Sequence, residues 1–252
     1  MAEKQEYLKI DNLSKHFGGL IAVANLSFSI AKGQILGLIG PNGAGKTTVF
    51  NLITGFLPTT QGRVLWNGMD LTRKKSHQIV NMGTARTFQL VKPFPDLSLM
   101  DNIRVACYGP RFKGQKLDQA ATEQRILEVA ATVGLPKDLN QLASVLGHGD
   151  LRLLDIARAL MVQPELLLLD EPLSGLSSIE TKEIVNLIGQ LNRQGITIFI
   201  IEHKLKELMK VADRIVAIDF GEKLAEGTPE EVVNDPKVVE AYLGTKESYG
   251  SA

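Results

Sequence analysis

Gly40-Pro41-Asn42-Gly43-Ala44-Gly45-Lys46-Thr47-Thr48 fits the phosphate-loop pattern G-x-x-x-x-G-K-[S/T]. Glycines let a backbone wrap a phosphate, so the amides from Asn42 to Thr47 can point at its oxygens. The helix expected from about Gly45 to Ile53 turns the positive end of its dipole toward the same anion. Lys46 supplies a charge for β- and γ-phosphates, and the Thr47 hydroxyl can coordinate Mg2+. Immediately upstream, Ile35-Leu36-Gly37-Leu38-Ile39 is a continuous apolar run, the mark of a strand buried on both faces. Strand, glycine turn and helix follow one another as phosphate binding requires.

Outward from this loop the chain changes texture twice. Between Leu8 and Trp66, Leu26, Phe28 and Ile30 alternate with Ser27 and Ser29, a period of two that predicts half-buried strands. From Val91 to Val162 the pattern is helical. Ser98, three residues before Asp101, is placed to cap a helix entering Asn102–Cys107. Asp118–Val133 carries Ile126, Ala130 and Val133 on one face and stops at Gly134 and Pro136. Tyr108–Lys116 reads as a loop, and Asp150–Met161 as a helix with Leu151, Leu154, Ala157 and Leu160 at helical spacing.

The last third alternates strand and helix. Leu166–Leu169, Ile196–Ile201 and Ile215–Ile218 are apolar strands, separated by helices over Ile179–Arg193, C-capped by Gly195, and Lys204–Val211. Strands divided by helices imply parallel pairing in an α/β core. The polar end, Lys246–Ala252, is expected to fray.

At 252 residues a chain buries roughly 70–75% of its unfolded surface, enough for a core without staples. Lys plus Arg and Asp plus Glu number 28 each, so the formal net charge is zero. That balance argues against a dedicated nucleic-acid binder, and no nucleic-acid partner is expected. The lone cysteine, Cys107, has no partner for an intrachain disulfide. No window approaches the ~18 apolar residues of a membrane span, and the charged start Met1–Glu6 does not read as a signal peptide.

A second site lies in Glu165-Leu166-Leu167-Leu168-Leu169-Asp170-Glu171-Pro172, an apolar strand ending in two carboxylates. Parallel α/β sheets bind ligands at the C-terminal ends of their strands. Beside a phosphate loop, Asp170 is placed to support Mg2+ and Glu171 to polarise an attacking water. A GTPase would need D-x-x-G and N-K-x-D, and neither occurs.

Together these residues resemble the ATP-binding subunit of an ABC transporter, over about Leu8 to Gly244. The P-loop, Gln89 after Ala85-Arg86-Thr87-Phe88, Asp170-Glu171-Pro172, and His203 after Ile201-Glu202 stand in family order. Phe17-Gly18-Gly19-Leu20, Leu224–Glu231 and Glu240-Ala241-Tyr242-Leu243-Gly244 make the likeness strongest to the ATPases of high-affinity branched-chain amino acid importers. The resemblance implies an α/β P-loop NTPase core with a mainly parallel sheet, an N-terminal antiparallel β subdomain and an inserted α-helical subdomain. Residues 1–90 and 163–244 would form the nucleotide-binding core, 91–162 the helical subdomain with the signature motif, and 245–252 a frayed tail.

The same resemblance assigns roles. Phe17 would stack on adenine, Gln89 would reach Mg2+ and the attacking water, and His203 would hold the γ-phosphate. ATP and Mg2+ are the implied ligands, and hydrolysis the implied reaction. The signature stretch, commonly Leu-Ser-Gly-Gly-Gln, reads Leu146-Gly147-His148-Gly149-Asp150 here, and Ser177 stands where Asp or Asn is usual. Gly147 lacks the hydroxyl that would reach a γ-phosphate bound to a partner subunit. The implied assembly is a head-to-tail homo- or heterodimer with a second ATPase subunit. It would sit peripherally on the cytoplasmic face of the plasma membrane, on integral permease subunits fed by a solute-binding protein. A urea or short-chain amide importer is the near alternative. A soluble DNA-repair ABC ATPase is the distant one, disfavoured because no Cys pair could bind zinc and Arg73-Lys74-Lys75 is the only basic cluster.

Overall fold

Residues 6–109, 112 and 118–243 are described by the computed structural model, and the chain divides by contact into two units: residues 1–76 with 197–252, and residues 77–196. Parts of the expected Tyr108–Lys116 loop and the whole 245–252 tail lie outside the described residues.

In the first unit, β1 (Glu6–Phe17) and β2 (Leu20–Ala31) form a long antiparallel hairpin. Leu8 opposes Ile30 and Ile10 opposes Phe28, and all four are buried, as the alternation predicts. β3 (Ile35–Ile39) is buried along its whole length and leads through the glycine loop into α1 (Lys46–Ile53). β4 (Gln61–Trp66) pairs antiparallel with β1, and the short β5 (Met69–Asp70) pairs with β4. The result is an antiparallel sheet in the order β2-β1-β4-β5.

The second unit begins at His77, within α2 (Ser76–Asn81), and continues with β6 (Thr84–Arg86). Helices α3 (Leu99–Arg104), α4 (Gln119–Val133) and α5 (His148–Met161) follow. Ser98 caps α3 by accepting from the Asp101 amide, and Gly134 ends α4 in the left-handed region at φ 82°. Strand β7 (Leu166–Asp170) then pairs parallel with β6, and α6 (Ser178–Arg193) packs Ile184, Leu187, Ile188 and Leu191 inward. Ser177 and Glu180 cap α6 reciprocally.

The chain re-enters the first unit with β8 (Thr197–Ile201), α7 (Leu205–Leu208), β9 (Arg214–Asp219), β10 (Glu222–Gly227), α8 (Pro229–Val233) and α9 (Pro236–Leu243). β3 lies between β8 and β9 and is parallel to both, while β10 closes antiparallel on β9. Phe199 of β8 meets Phe50 of α1 and Phe28 of β2, with ring centroids 4.8 and 5.6 Å away. These rings lock α1, and with it the glycine loop, onto the strands.

Three expectations are corrected. α7 is shorter than Lys204–Val211, because after Leu208 the chain tightens into turns, with the Lys210 amide bonding the Glu207 carbonyl and the Val211 amide the Leu208 carbonyl. The C-cap of α6 is Gln194, with Gly195 one residue beyond at φ 97°. In α5, Leu151 is only half-buried while Arg152 is buried.

Candidate functional site

The glycine loop depends on its glycines for space as well as for conformation. A Cβ on Gly40 would collide with the Ile218 carbonyl, and one on Gly45 (φ 100°) with the Ala22 carbonyl. Gly45 is the N-cap of α1 and offers no side-chain cap, so the first-turn amides of the helix face the loop. Lys46 is 5% exposed, and its Nζ donates to the carbonyls of Gly40 and Pro41, each at 2.8 Å. The ammonium is therefore held at the mouth of the loop by the loop's own backbone. From the other side, the Gly40 amide donates to the Tyr242 hydroxyl at 2.8 Å.

Phe17 ends β1 and is 46% exposed. The Lys15 ammonium lies 5.0 Å from its ring centroid and donates to the Pro58 carbonyl at 2.8 Å, which pins it beneath the ring. The hairpin that carries Phe17 reaches the loop where Ala22 approaches Gly45. His203 is exposed just past β8, and its amide donates to the buried Glu202 carboxylate at 3.0 Å.

In the second unit, β7 delivers Asp170 and Glu171. Asp170 is 3% exposed, and its Oδ2 pairs with Arg86 of β6 at 2.7 Å. Its Oδ1 is buried without a hydrogen-bond partner among the described residues. Burial pushes the Asp170 carboxyl up, with Arg86 opposing. A buried anionic oxygen with no donor is costly in isolation, and it is the acceptor a hydrated cation needs. The donor set therefore fits Mg2+. Glu171 follows in the left-handed region at φ 48°, a strained position for a side-chain-bearing residue. Its Oε2 accepts from Gln89 Nε2 at 2.7 Å.

The signature stretch opens α5. Gly147 is the N-cap with ordinary φ and no side-chain cap, and His148, Gly149 and Asp150 form the first turn. A Cβ on Gly149 would collide with the Glu180 carboxylate, and the His148 ring lies against Gly175. Hydrogen bonds from Ser177, and then from the Gly149 amide, hold Glu180 below the usual carboxylate range.

Sequence reasoning assigned no role to Arg86, Tyr242, Arg152 or Asp155. Arg86 and Tyr242 stood inside quoted motifs, but their partners are 84 and 202 residues away. For Arg152 and Asp155 the signal was a run of charges three residues apart, Arg152, Asp155 and Arg158, beside the apolar face of α5.

Strand, glycine loop and helix with a loop-held lysine define a P-loop nucleotide-binding protein. The pattern of the family described as ABC transporter matches residues 23–174, and the chain belongs to that family. A second pattern, branched-chain amino acid ATP-binding cassette transporter, matches residues 222–248. The chain is 43% identical to the high-affinity branched-chain amino acid transport ATP-binding protein LivG of Salmonella typhimurium, covering 95% of this chain and 98% of that one. It is 38% identical to the corresponding protein BraF of Pseudomonas aeruginosa, covering 94% and 97%. The crystal structure of a nucleotide-free ATP-binding cassette from an ABC transporter superposes with a TM-score of 0.88 at 31% identity, covering 96% of this chain and all of that one. Among the described residues no helix is long and apolar enough to cross a membrane.

Proposed function

We propose that this chain is the ATP-binding and ATP-hydrolysing subunit of an importer for branched-chain amino acids, attached peripherally to permease subunits at the cytoplasmic membrane face. The observation that carries the ATPase reading is the glycine loop, with Lys46 tethered at its mouth and the uncapped start of α1 behind it. The similarity to LivG and BraF supports the branched-chain solute.

The residues then divide the work. Amides from Asn42 to Thr47 cradle the phosphates, Lys46 neutralises the β- and γ-groups, and Phe17, backed by Lys15, stacks on adenine. Gly40, Pro41, Gly43, Ala44 and Gly45 shape the loop, and Thr48 continues it into α1. Thr47, Gln89 and Asp170 are the residues suited to Mg2+, which when bound neutralises charge on the phosphates. Glu171 takes the proton of the attacking water, and Gln89 orients its carboxylate. His203 holds the γ-phosphate. Leu146, Gly147, His148, Gly149 and Asp150 present the start of α5 to ATP bound by a second ATPase subunit.

The test is reconstitution with the permease and partner ATPase subunits in proteoliposomes, supplying the solute-binding protein outside and ATP inside. ATP-dependent uptake of labelled leucine supports the reading. Uptake of urea without leucine, or leucine uptake that ignores ATP, overturns it.

A further inference from the structure

Among the described residues the segment after β6 has no strand partner beyond Thr87, whose amide still donates to the Leu168 carbonyl. From Phe88 to Lys92 its backbone bonds instead to one charged face of α5, and at Phe94 the Asn102 side chain of α3 takes over. Arg152, 2% exposed, donates to the Phe88 carbonyl at 2.9 Å and the Gln89 carbonyl at 3.1 Å. Asp155, one turn on, accepts from the Phe88 amide at 3.3 Å. Arg158, one turn further, donates to the Lys92 carbonyl at 3.1 Å and lies 5.3 Å from the Phe94 ring centroid. Spacing of three places all three on one side of the helix. An irregular backbone whose polar groups are paired to one helix is carried by that helix. His148, Gly149 and Asp150 form the first turn of α5, just before Arg152, and Gln89 at the start of the clamped segment donates to Glu171.

We infer that Arg152, supported by Asp155 and Arg158, is a positioning residue for ATP hydrolysis. It ties the Gln89 main chain to the signature helix, so that the Gln89 carboxamide meets Glu171 only when α5 is in place. This rests on the roles proposed above for Gln89 and Glu171. Arginine is suited to the task because its rigid planar fork gives each of the two carbonyls its own nitrogen, Nη1 to Phe88 and Nη2 to Gln89, whereas a flexible ammonium offers one nitrogen with no fixed plane.

The experiment is a double-mutant cycle in the assembled transporter, reading kcat and KM for ATP together with thermal stability. Arg152→Lys keeps the charge and the stem but loses the fork. It is expected to lower kcat about 10- to 100-fold, the scale of a small misplacement of a catalytic group, with KM within about twofold. In a Gln89→Ala background the same change is expected to alter kcat less than about twofold, because the misplaced carboxamide is already gone. Equal losses in both backgrounds, or an unchanged kcat in folded Arg152→Lys while Gln89→Ala is slow, overturn the inference alone. An unchanged kcat in Gln89→Ala itself overturns the role of Gln89, and this inference with it. If Arg152→Lys does not fold, Arg158→Ala, which releases Lys92 from a half-exposed position, is read by the same outcomes.

Discussion

The Tyr242 hydroxyl, on α9 near the described end of the chain, accepts a hydrogen bond at 2.8 Å from the amide of Gly40, the first glycine of the phosphate loop. The carbonyl of the same Gly40 accepts from Lys46. Gly40 is thus held on both its amide and its carbonyl, once by α9 and once by the lysine it orients. Tyr242→Phe removes only the hydroxyl and leaves the amide unsatisfied. The expected loss is about 1 kcal/mol, read as a Tm lower by about 2–4 °C for a chain of this size. An unchanged Tm would show that the bond contributes nothing.

Lys46→Ala removes the charge nearest the phosphates. One or two hydrogen bonds to a charged group are worth about 1.5–3 kcal/mol each, so ATP affinity should fall at least about 10- to 100-fold. Calorimetry checks this, and unchanged affinity contradicts the loop assignment.

Phe17→Ala should weaken ATP binding by about 1–3 kcal/mol, the scale of base–aromatic stacking. Inorganic triphosphate has no base and should bind equally to both proteins. Equal losses for the two ligands would exclude stacking.

Glu171→Gln keeps the shape of the side chain and its contact with Gln89 but cannot take a proton. Hydrolysis should slow about 10²–10⁴-fold with ATP binding retained. Size-exclusion chromatography with MgATP should then show a dimer that the wild type forms only transiently. Wild-type turnover in this variant rules Glu171 out as the base.

Gly147→Ser concerns the N-cap of α5. The backbone there has ordinary dihedrals, and a Cβ would meet nothing within 4 Å, so serine enters without strain. Its hydroxyl can donate to a γ-phosphate bound by a partner subunit, a bond worth about 1.5–3 kcal/mol. ATPase activity of the isolated protein should rise, and in the wild type adding the second ATPase subunit should raise it further. A stable ATP-dependent wild-type homodimer at full turnover contradicts this.

The P-loop is legible in the sequence because its chemistry is local. An apolar run, glycines and a lysine within a dozen residues leave little choice of backbone, and β3, the loop and α1 formed as read. The helices of residues 91–162 were legible for the same reason, through caps such as Ser98 and Gly134 and through apolar spacing. β10, α8 and α9 escaped as elements, although Thr228-Pro229-Glu230-Glu231 carries a capping box that the structure uses.

The amino-acid sequence alone assigned the residues of the proposed chemistry and their order along the chain: glycine loop, Gln89, Asp170-Glu171, His203. Packing alone determined that Asp170 keeps one buried oxygen without a donor among the described residues, that Arg152 is buried against the Gln89 backbone, and that Tyr242 grips Gly40. Patterns of caps and periodicity act over a few residues, whereas these bonds join positions 63 to 202 residues apart. Such pairs meet only after strands and helices have packed, and a polar group removed from water then bonds whatever donor or acceptor that packing brings within reach.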